Sequence, residues 1–440
     1  MPSLFLQIYA LLMRCAQPLL RRKLARRALA EPGYAEAVPE RWGHYTQPPE
    51  ATSELVWVHA VSLGETRTAA ILLREWRAQM PGLRVLLTHG TATGRAEGRS
   101  LLQPGDVQVW QPWDSRQAVE RFLTHFKPRL GVLLETEVWP NLMAAAKARG
   151  LPVALVNARM SPKSLAGAER LSWLAKPAYQ ALAAVYAQTA ADAQRLAQLG
   201  APVAGVLGNL KFDARPDTQQ QALARQWRAP LPRPVLMLAS SREGEELEFL
   251  RQWQDRKAQA QPASAQRVQL MIVPRHPQRF DEVARMVQAQ GLTVSRRSSW
   301  AGAPADDAAA LQADVWLGDS LGEMALYYTL SDLALLGGSF EALGGQNLIE
   351  PAACSCPVVM GPHTFNFAEA ALMAVAAGAA LRVQDMAAGL ARGLGLLQDP
   401  AALQEARAAA LAFAASQGGA AARTVQALNA LKALKALKAL

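Results

Sequence analysis

The stretch Leu55-Val56-Trp57-Val58-His59-Ala60-Val61-Ser62-Leu63-Gly64-Glu65 decides the fold. Residues 55–61 are almost continuously apolar, as in a strand buried on both faces, and such strands belong to parallel sheets covered by helices. The run ends at Ser-Leu-Gly-Glu, and residues 66–79 have helix length and composition. Gly64 permits a tight strand-to-helix turn, and Ser62 can cap the helix or bond the loop. Ligands collect at the edge of an α/β sheet where strands hand over to helices, which makes Glu65 a candidate functional carboxylate. A second handover follows the apolar run 130–134, at Glu135-Thr136-Glu137.

Working outward, short apolar runs at 55–61, 84–88, 107–110, 130–134, 153–156, 184–187 and 203–207 alternate with helix-length segments. That alternation predicts a parallel, doubly wound α/β sheet. The polar stretch 213–221 interrupts it, and a second series follows at 235–239, 268–273, 292–295, 315–317, 333–336 and 357–360. A chain of 440 residues exceeds what one core holds, so two Rossmann-like domains facing a cleft are the economical expectation. The boundaries expected are 1–28 for an amphipathic basic helix, 29–212 and 213–425 for the two domains, and 426–440 for a low-complexity helical tail. The Leu-Lys-Ala triplets of that tail favour helix, but a three-residue period smears the apolar face, and no chemistry is assigned to them.

With 51% hydrophobic and 19% charged residues the chain is globular rather than disordered. A net charge of +10 suits an anionic partner, whether phosphorylated lipid, nucleotide or nucleic acid. Cys15, Cys354 and Cys356 make no disulfide framework, and Cys-Ser-Cys lacks the spacing of a structural zinc site, so a reduced, cytoplasmic setting is expected. At the N-terminus Leu4, Phe5, Ile8, Leu11 and Leu12 fall at helical spacing, followed by Arg14, Arg21, Arg22, Lys23, Arg26 and Arg27. The apolar run is shorter than the ~20 residues that span a bilayer, so it is expected to lie in the interface, with the basic cluster holding anionic lipid. The plainer alternative is an amphipathic helix packed on the protein's own core.

The second series carries polar turns at its strand ends: Pro274-Arg275-His276-Pro277, Leu321-Gly322-Glu323, Gly337-Gly338-Ser339-Phe340, and Gly344-Gly345-Gln346-Asn347-Leu348-Ile349-Glu350. Gly-rich loops entering helices present backbone N–H groups that suit phosphate. Arg275 can add a charge-assisted contact and Glu350 can accept from a ribose. Singly each is an ordinary turn; together they point to a nucleotide. No G-x-G-x-x-G follows the first strand and no G-x-x-x-x-G-K-[ST] occurs, which argues against dinucleotide redox chemistry and a P-loop NTPase.

These residues resemble the 3-deoxy-D-manno-octulosonic acid (Kdo) transferases of lipopolysaccharide assembly, from the basic N-terminus to about Leu397. The likeness lies in Trp57-Val58-His59-Ala60-Val61-Ser62-Leu63-Gly64-Glu65, Glu135-Thr136-Glu137-Val138-Trp139-Pro140-Asn141, Asn157-Ala158-Arg159, Gly208-Asn209-Leu210-Lys211-Phe212-Asp213, Pro274-Arg275-His276-Pro277 and Met360-Gly361-Pro362-His363-Thr364-Phe365-Asn366-Phe367. The resemblance implies a GT-B glycosyltransferase with an N-terminal acceptor domain and a C-terminal CMP-Kdo domain. Its reaction would be inverting transfer of Kdo to a lipid A precursor, lipid IVA, with no cofactor and no metal. It implies the cytoplasmic side of the inner membrane, with anionic lipid as a partner and no nucleic acid. By motif, Glu65 matches the general base, and Glu135 and Lys211 match positions that stabilise the transition state. Pro274, Arg275, Leu321, Gly322, Glu323, Asn347, Leu348, Ile349 and Glu350 match CMP contacts. Leu348 stands where many relatives have Pro, and Gln346 where they often have His, a group Gln cannot replace in titration.

The residues fit this chemistry independently. Moving a sugar to a hydroxyl needs a base, and a carboxylate at the cleft edge supplies it. Arg275 and helix N-termini can take the departing phosphate. No Asp-x-Asp stands at a strand end and no His and carboxylate cluster is evident, so no metal site is expected. Apart from the resemblance, Lys211 reads as a solvated linker lysine, His59, His276 and His363 as hydrogen-bonded strand-end residues, and Glu137 as a cap for the next helix. The alternatives are another GT-B nucleotide-sugar enzyme, including a non-hydrolysing epimerase, or a non-catalytic binder of anionic lipid that keeps the fold.

Overall fold

A computed structural model describes residues 4–259 and 268–438. The chain forms two compact units: one takes the chain through Asp213 together with the segment from Gly418 onward, the other spans Ala214–Gln417. In the first, β1 (Leu55–His59), β2 (Arg84–His89), β3 (Val107–Trp110), β4 (Leu130–Leu134), β5 (Val153–Ala158), β6 (Ala184–Ala187) and β7 (Val203–Val206) make a sheet of order β3-β2-β1-β4-β5-β6-β7. All of its pairs are parallel. Every residue of β1 and of β4 is buried, which explains why their sequences do not alternate.

The second unit repeats the plan. Its strands are β8 (Val235–Ser241), β9 (Gln269–Pro274), β10 (Val294–Arg296), β11 (Val315–Leu317), β12 (Leu333–Leu336), β13 (Val358–Met360) and β14 (Ala380–Arg382), in the order β10-β11-β9-β8-β12-β13-β14. Met237, Ala239, Met271 and Val273 enter one core cluster, whereas Leu236, Leu238, Leu270 and Ile272 enter another. Successive strand residues point to opposite faces, so a core lies on each side of the sheet. Both units are α/β with a seven-stranded parallel sheet.

Several boundaries differ from those expected. β1 stops at His59 rather than at residue 61, because the Val61 carbonyl leaves the ladder and accepts from Gly90 N and Thr91 N. The next helix starts at Leu63, capped by Ser62. Gly64 does not shape that turn: a side-chain carbon there would come no nearer than 3.9 Å to Ser62 Oγ. The close approach is at Gly94 instead, where a Cβ would stand 2.9 Å from the Val61 carbonyl oxygen.

The expected division of the C-terminal half, 213–425 with a separate tail 426–440, is also corrected. One helix, Ala420–Lys438, runs through that boundary and packs on the first unit; residues 439 and 440 lie outside the described residues. Asp213 is the cause, because its carboxylate accepts from Gly419 N and Ala421 N at the helix start. Trp76 Nε1 then donates to Asn429 Oδ1 at 3.0 Å.

The expected single helix over 1–28 is two, Leu4–Cys15 and Gln17–Ala30, with Pro18 in the first turn of the second; residues 1–3 lie outside the described residues. The first helix leaves Leu4, Phe5, Ile8, Leu11 and Leu12 exposed, while Tyr9 bonds to Asp114 and Phe5 sits 5.0 Å from the Trp173 ring. The second packs Leu24 with Tyr34 and Trp110. Among the described residues no helix is long and apolar enough to cross a membrane.

Candidate active site

In the first sheet β1 and β4 are neighbours, while the chain leaves β1 for β2 on one side and β4 for β5 on the other. This switch point is where an open α/β sheet leaves a crevice at its carboxyl edge. Glu65 follows β1 and Glu135 follows β4, so strand order alone brings both nominated carboxylates to one place.

Glu65 is the third residue of a helix capped by Ser62 and closes a variant of the capping box, its carboxylate reaching one residue past the cap to Val61. Its N–H donates to Ser62 Oγ at 3.3 Å, its Oε2 accepts from Val61 N at 2.9 Å, and its Oε1 accepts from Ser62 Oγ at 3.1 Å. A structural role and a chemical one thus coincide in this residue. Burial lifts its pKa to about 7; the Val61 amide and Ser62 pull it down, while Glu135 and Glu137 push it further up. Below the loop, the buried His59 Nδ1 lies 2.9 Å from Thr88 Oγ1, and burial lowers His59 to about 3. It is therefore neutral and belongs to the scaffold.

Glu135 is buried, and its backbone takes φ +60, rare for a residue with a side chain. Its N–H donates to Val156 O at 3.1 Å and its carbonyl accepts Arg159 N at 3.2 Å. Lys211 Nζ sits 2.9 Å from Oε1, and Arg159 Nη1 3.9 Å from Oε2. Lys211 is therefore not a solvated linker lysine. Asn157, at φ +51 in a bulge of β5, accepts Leu210 N on Oδ1 at 2.9 Å and so fixes the turn that carries Lys211. Neither Asn157 nor Arg159 had an assigned role in the sequence, although Asn is a residue type that tolerates positive φ.

Glu137 does not cap the following helix. It accepts the Trp139 indole N–H at 2.9 Å, and Asp114 takes Asn141 N at 3.0 Å and Leu142 N at 2.8 Å at the start of helix Pro140–Ala148. Burial raises Asp114 to about 6 against the pull of those amides.

The nominated nucleotide residues of the second unit follow β9, β11 and β12 at the carboxyl edge of its sheet. Pro274 ends β9, and Arg275 is exposed, its N–H donating to Ser241 O at 3.0 Å. Leu321 is 73% exposed, and Gly322, at φ +81, accepts Gln220 Nε2 at 2.9 Å. Glu323 pairs with Arg297 at 2.9 Å, whose guanidinium lies 5.0 Å from the Trp227 ring centre. Asn347 Oδ1 accepts Ile349 N at 3.0 Å, and Glu350 stands in the short helix Ile349–Ala353. Leu348 and Ile349 are buried, backbone included, and the Ile349 N–H is already taken by Asn347.

The turn Gly337-Gly338-Ser339-Phe340 is not an open phosphate cradle. Gly338 N, at 2.8 Å, and Phe340 N, at 3.2 Å, already donate to the carboxylate of buried Glu245.

Two α/β units, each with a seven-stranded parallel sheet and polar turns at its carboxyl edge, define the class of fold. A glycosyltransferase from Rickettsia africae superposes with a TM-score of 0.56 at 11% identity, covering 87% of this chain and 99% of that one. A UDP-GlcNAc 2-epimerase from Neisseria meningitidis does so with a TM-score of 0.56 at 14% identity, covering 85% and 99%. At such identities the likeness is one of fold. The family model described as 3-Deoxy-D-manno-octulosonic-acid transferase (kdotransferase) matches residues 36–214. A 3-deoxy-D-manno-octulosonic acid transferase of Bordetella pertussis is 46% identical over 428 residues, 95% of this chain and 97% of that protein. The chain belongs to the Kdo transferase family of glycosyltransferases.

Proposed function

We propose that this transferase moves Kdo from CMP-Kdo to a hydroxyl of the tetraacyl lipid A precursor, with inversion and without a metal ion. The observation that carries the reading is Glu65, a carboxylate at the switch point of the first sheet with its pKa raised to about 7. A base of that strength is half ionised near neutral pH, where proton transfer is most effective. Glu65 takes the proton of the acceptor hydroxyl, the oxygen attacks the anomeric carbon, and the carbon–oxygen bond to phosphate breaks with its electron pair leaving on CMP. One displacement inverts the centre. Lys211 and Arg159 beside Glu135 supply positive charge for the oxyanions of the transition state, and Arg275 takes the phosphate. The test is mass spectrometry of lipid A precursor incubated with CMP-Kdo and purified protein, with and without chelator. The expected product gains Kdo mass increments in both; a UDP-sugar used in preference would overturn the donor.

The same reading places the enzyme on the cytoplasmic side of the inner membrane, held by the exposed apolar face of Leu4–Cys15 and the basic residues of Gln17–Ala30. Each Lys or Arg near an anionic surface contributes about 1 kcal/mol. Deleting residues 1–15 spares the Leu24–Tyr34 cluster that a longer deletion would open, and a melting curve checks the effect of losing the Tyr9–Asp114 bond. Co-sedimentation with anionic liposomes should drop on deletion and at high salt; unchanged sedimentation in both would reject attachment by this segment.

A further inference from the structure

The second sheet has its own switch point, between β8 and β12, and the residue leaving β8 there is Arg242. β8 and β9 run parallel with Ser241 opposite Pro274, so the next residues, Arg242 and Arg275, leave adjacent strands side by side. Both are fixed through the backbone: Arg275 N donates to Ser241 O at 3.0 Å, and Arg242 N donates to Glu245 Oε2 at 2.9 Å. On the β12 side, a Cβ placed on Gly338 would stand 3.7 Å from Arg242 Cγ and 3.1 Å from Gln346 Nε2. The Arg242 stem therefore lies over the turn that leads into residues 346–350.

Its charge has no partner among the described residues, since the side chain makes no hydrogen bond or ion pair with them. Arg279, close by in sequence, is neutralised by Glu246 at 2.7 Å and Glu282 at 3.2 Å. In the β8 turn Glu245 is occupied by the amides of Arg242, Gly338, Phe340 and Glu341, Glu246 is paired with Arg279, and Glu243 is exposed. His276 stands among these guanidiniums: burial lowers its pKa first, and Arg242, Arg275 and Arg279 lower it further. A half-buried guanidinium that the fold sets beside a second one, at a ligand edge, is matched by an anion from outside the chain.

We propose that Arg242 is a donor-binding residue that, with Arg275, grips an oxyanion of the donor, either the phosphate of the nucleotide or the carboxylate of its sugar acid. This rests on the donor assigned above.

The experiment is calorimetric titration of the full-length protein with CMP and with cytidine, beside steady-state transfer with CMP-Kdo. The variants are R242A, R242Q and R242K, with R275A as reference. If Arg242 holds the phosphate, R242A weakens CMP about tenfold to a hundredfold while cytidine binding stays unchanged. If it holds the carboxylate, CMP affinity is kept and KM for CMP-Kdo rises by a similar factor. In either case R242Q, which keeps most of the stem without the charge, behaves like R242A, and R242K recovers part of the loss. R242Q also serves as the test should R242A fold poorly by its melting curve. CMP affinity and donor KM both within about twofold of wild type in R242Q, while R275A loses CMP, would overturn the assignment. A wild-type protein that binds no CMP would overturn the donor reading, and this assignment with it.

Discussion

At the switch point of the first sheet stand Glu65 and Glu135, with Glu137 close by; at that of the second stands Arg242, with Arg275 just past the end of the next strand. The two edges share more than topology. Each has a bulge beside the site that puts a residue with a side chain at positive φ, Asn157 at +51 in β5 and Ser240 at +53 in β8. Bulges re-aim the chain next to active sites, and here each turns the residues that follow it toward the ligand edge. The charge is what differs. Burial, and then its acidic neighbours, raise Glu65 at the first edge, whereas burial, and then its guanidinium neighbours, lower His276 at the second. Topology thus fixes where chemistry can occur, and in the proposed reaction residue identity divides the labour into proton removal and anion binding.

The sharpest way to break this division is at Glu65. Glu65→Gln should lower turnover by ~10² to 10⁴, the usual contribution of a positioned base, while CMP affinity stays unchanged. Because Gln also serves at the third position of a capping box, the melting temperature of this variant should hold. Glu65→Ala leaves the Val61 amide without its acceptor and should lose both turnover and stability. Steady-state transfer and melting curves on the pair separate the two roles. A folded Gln variant with near-normal transfer would move the base to Glu135.

The converse test is at the second edge. Arg275→Ala should weaken CMP binding by ~1.5 to 3 kcal/mol, the range for hydrogen bonds to charged groups, without changing the pH dependence of turnover. Glu350→Ala should weaken it by less, since a neutral ribose hydroxyl is the expected partner. Titration with CMP checks both. Wild-type affinity in both variants would move the nucleotide away from this edge.

A smaller effect is expected where the first edge carries cations of its own. Lys211→Met leaves buried Glu135 with Arg159 at 3.9 Å as its remaining cation, and should cost about 1 to 3 kcal/mol of stability along with turnover. Adding Glu135→Gln to that variant should restore stability but not turnover, because the stranded charge is gone while the transition-state contact is still missing. Recovery of turnover in the double variant would make the Lys211–Glu135 pair purely structural.

Much of this was legible in the sequence, for a physical reason. Strands buried on both faces must be apolar throughout, so β1, β4, β8 and β12 show as unbroken runs, and polar handovers such as Ser62 to Glu65 mark their carboxyl ends. β14 escaped notice because it is three residues, Ala380–Arg382, at the outer edge and buried only at its first position. The residues contributed by pairing were also hidden. Nothing local announces that Asp114 caps a helix at residue 140, that Glu245 fills the Gly338 turn, or that Arg242 leaves the sheet beside Arg275. Each depends on strand order and register, which single-sequence patterns do not encode. The split at residue 425 erred for the same reason: composition separates the Leu-Lys-Ala tail, but the cap from Asp213 joins the whole last helix to the first unit.

The finest test uses pH, because only one of the two edges titrates near neutrality. In the folded protein Glu65 lies near 7 against an ordinary 4.5, so the native state holds a proton that the unfolded chain has already lost. A carboxylate raised in this way stabilises the fold below its ordinary pKa, and that contribution is lost as pH rises from about 4.5 to 7. Denaturant unfolding across that window should therefore show the wild type losing stability relative to Glu65→Gln as pH rises, since the buried neutral His59 and His89, whose contribution runs the opposite way, are common to both proteins. Asp114, raised from 3.8 to about 6, and the raised Glu137 and Glu245 slope the same way as Glu65 in both proteins and cancel in the difference. Turnover should move the other way, rising through about pH 7 as Glu65 becomes the free base, whereas CMP affinity should be flat between pH 7 and 8. Burial and the neighbouring guanidiniums hold His276 below its ordinary 6.5, away from that range. A turnover profile flat through pH 7, with the stability slope intact, would leave Glu65 as a helix cap alone. A CMP affinity that changed with the same midpoint as turnover would place that carboxylate at the nucleotide and dissolve the division between the two edges.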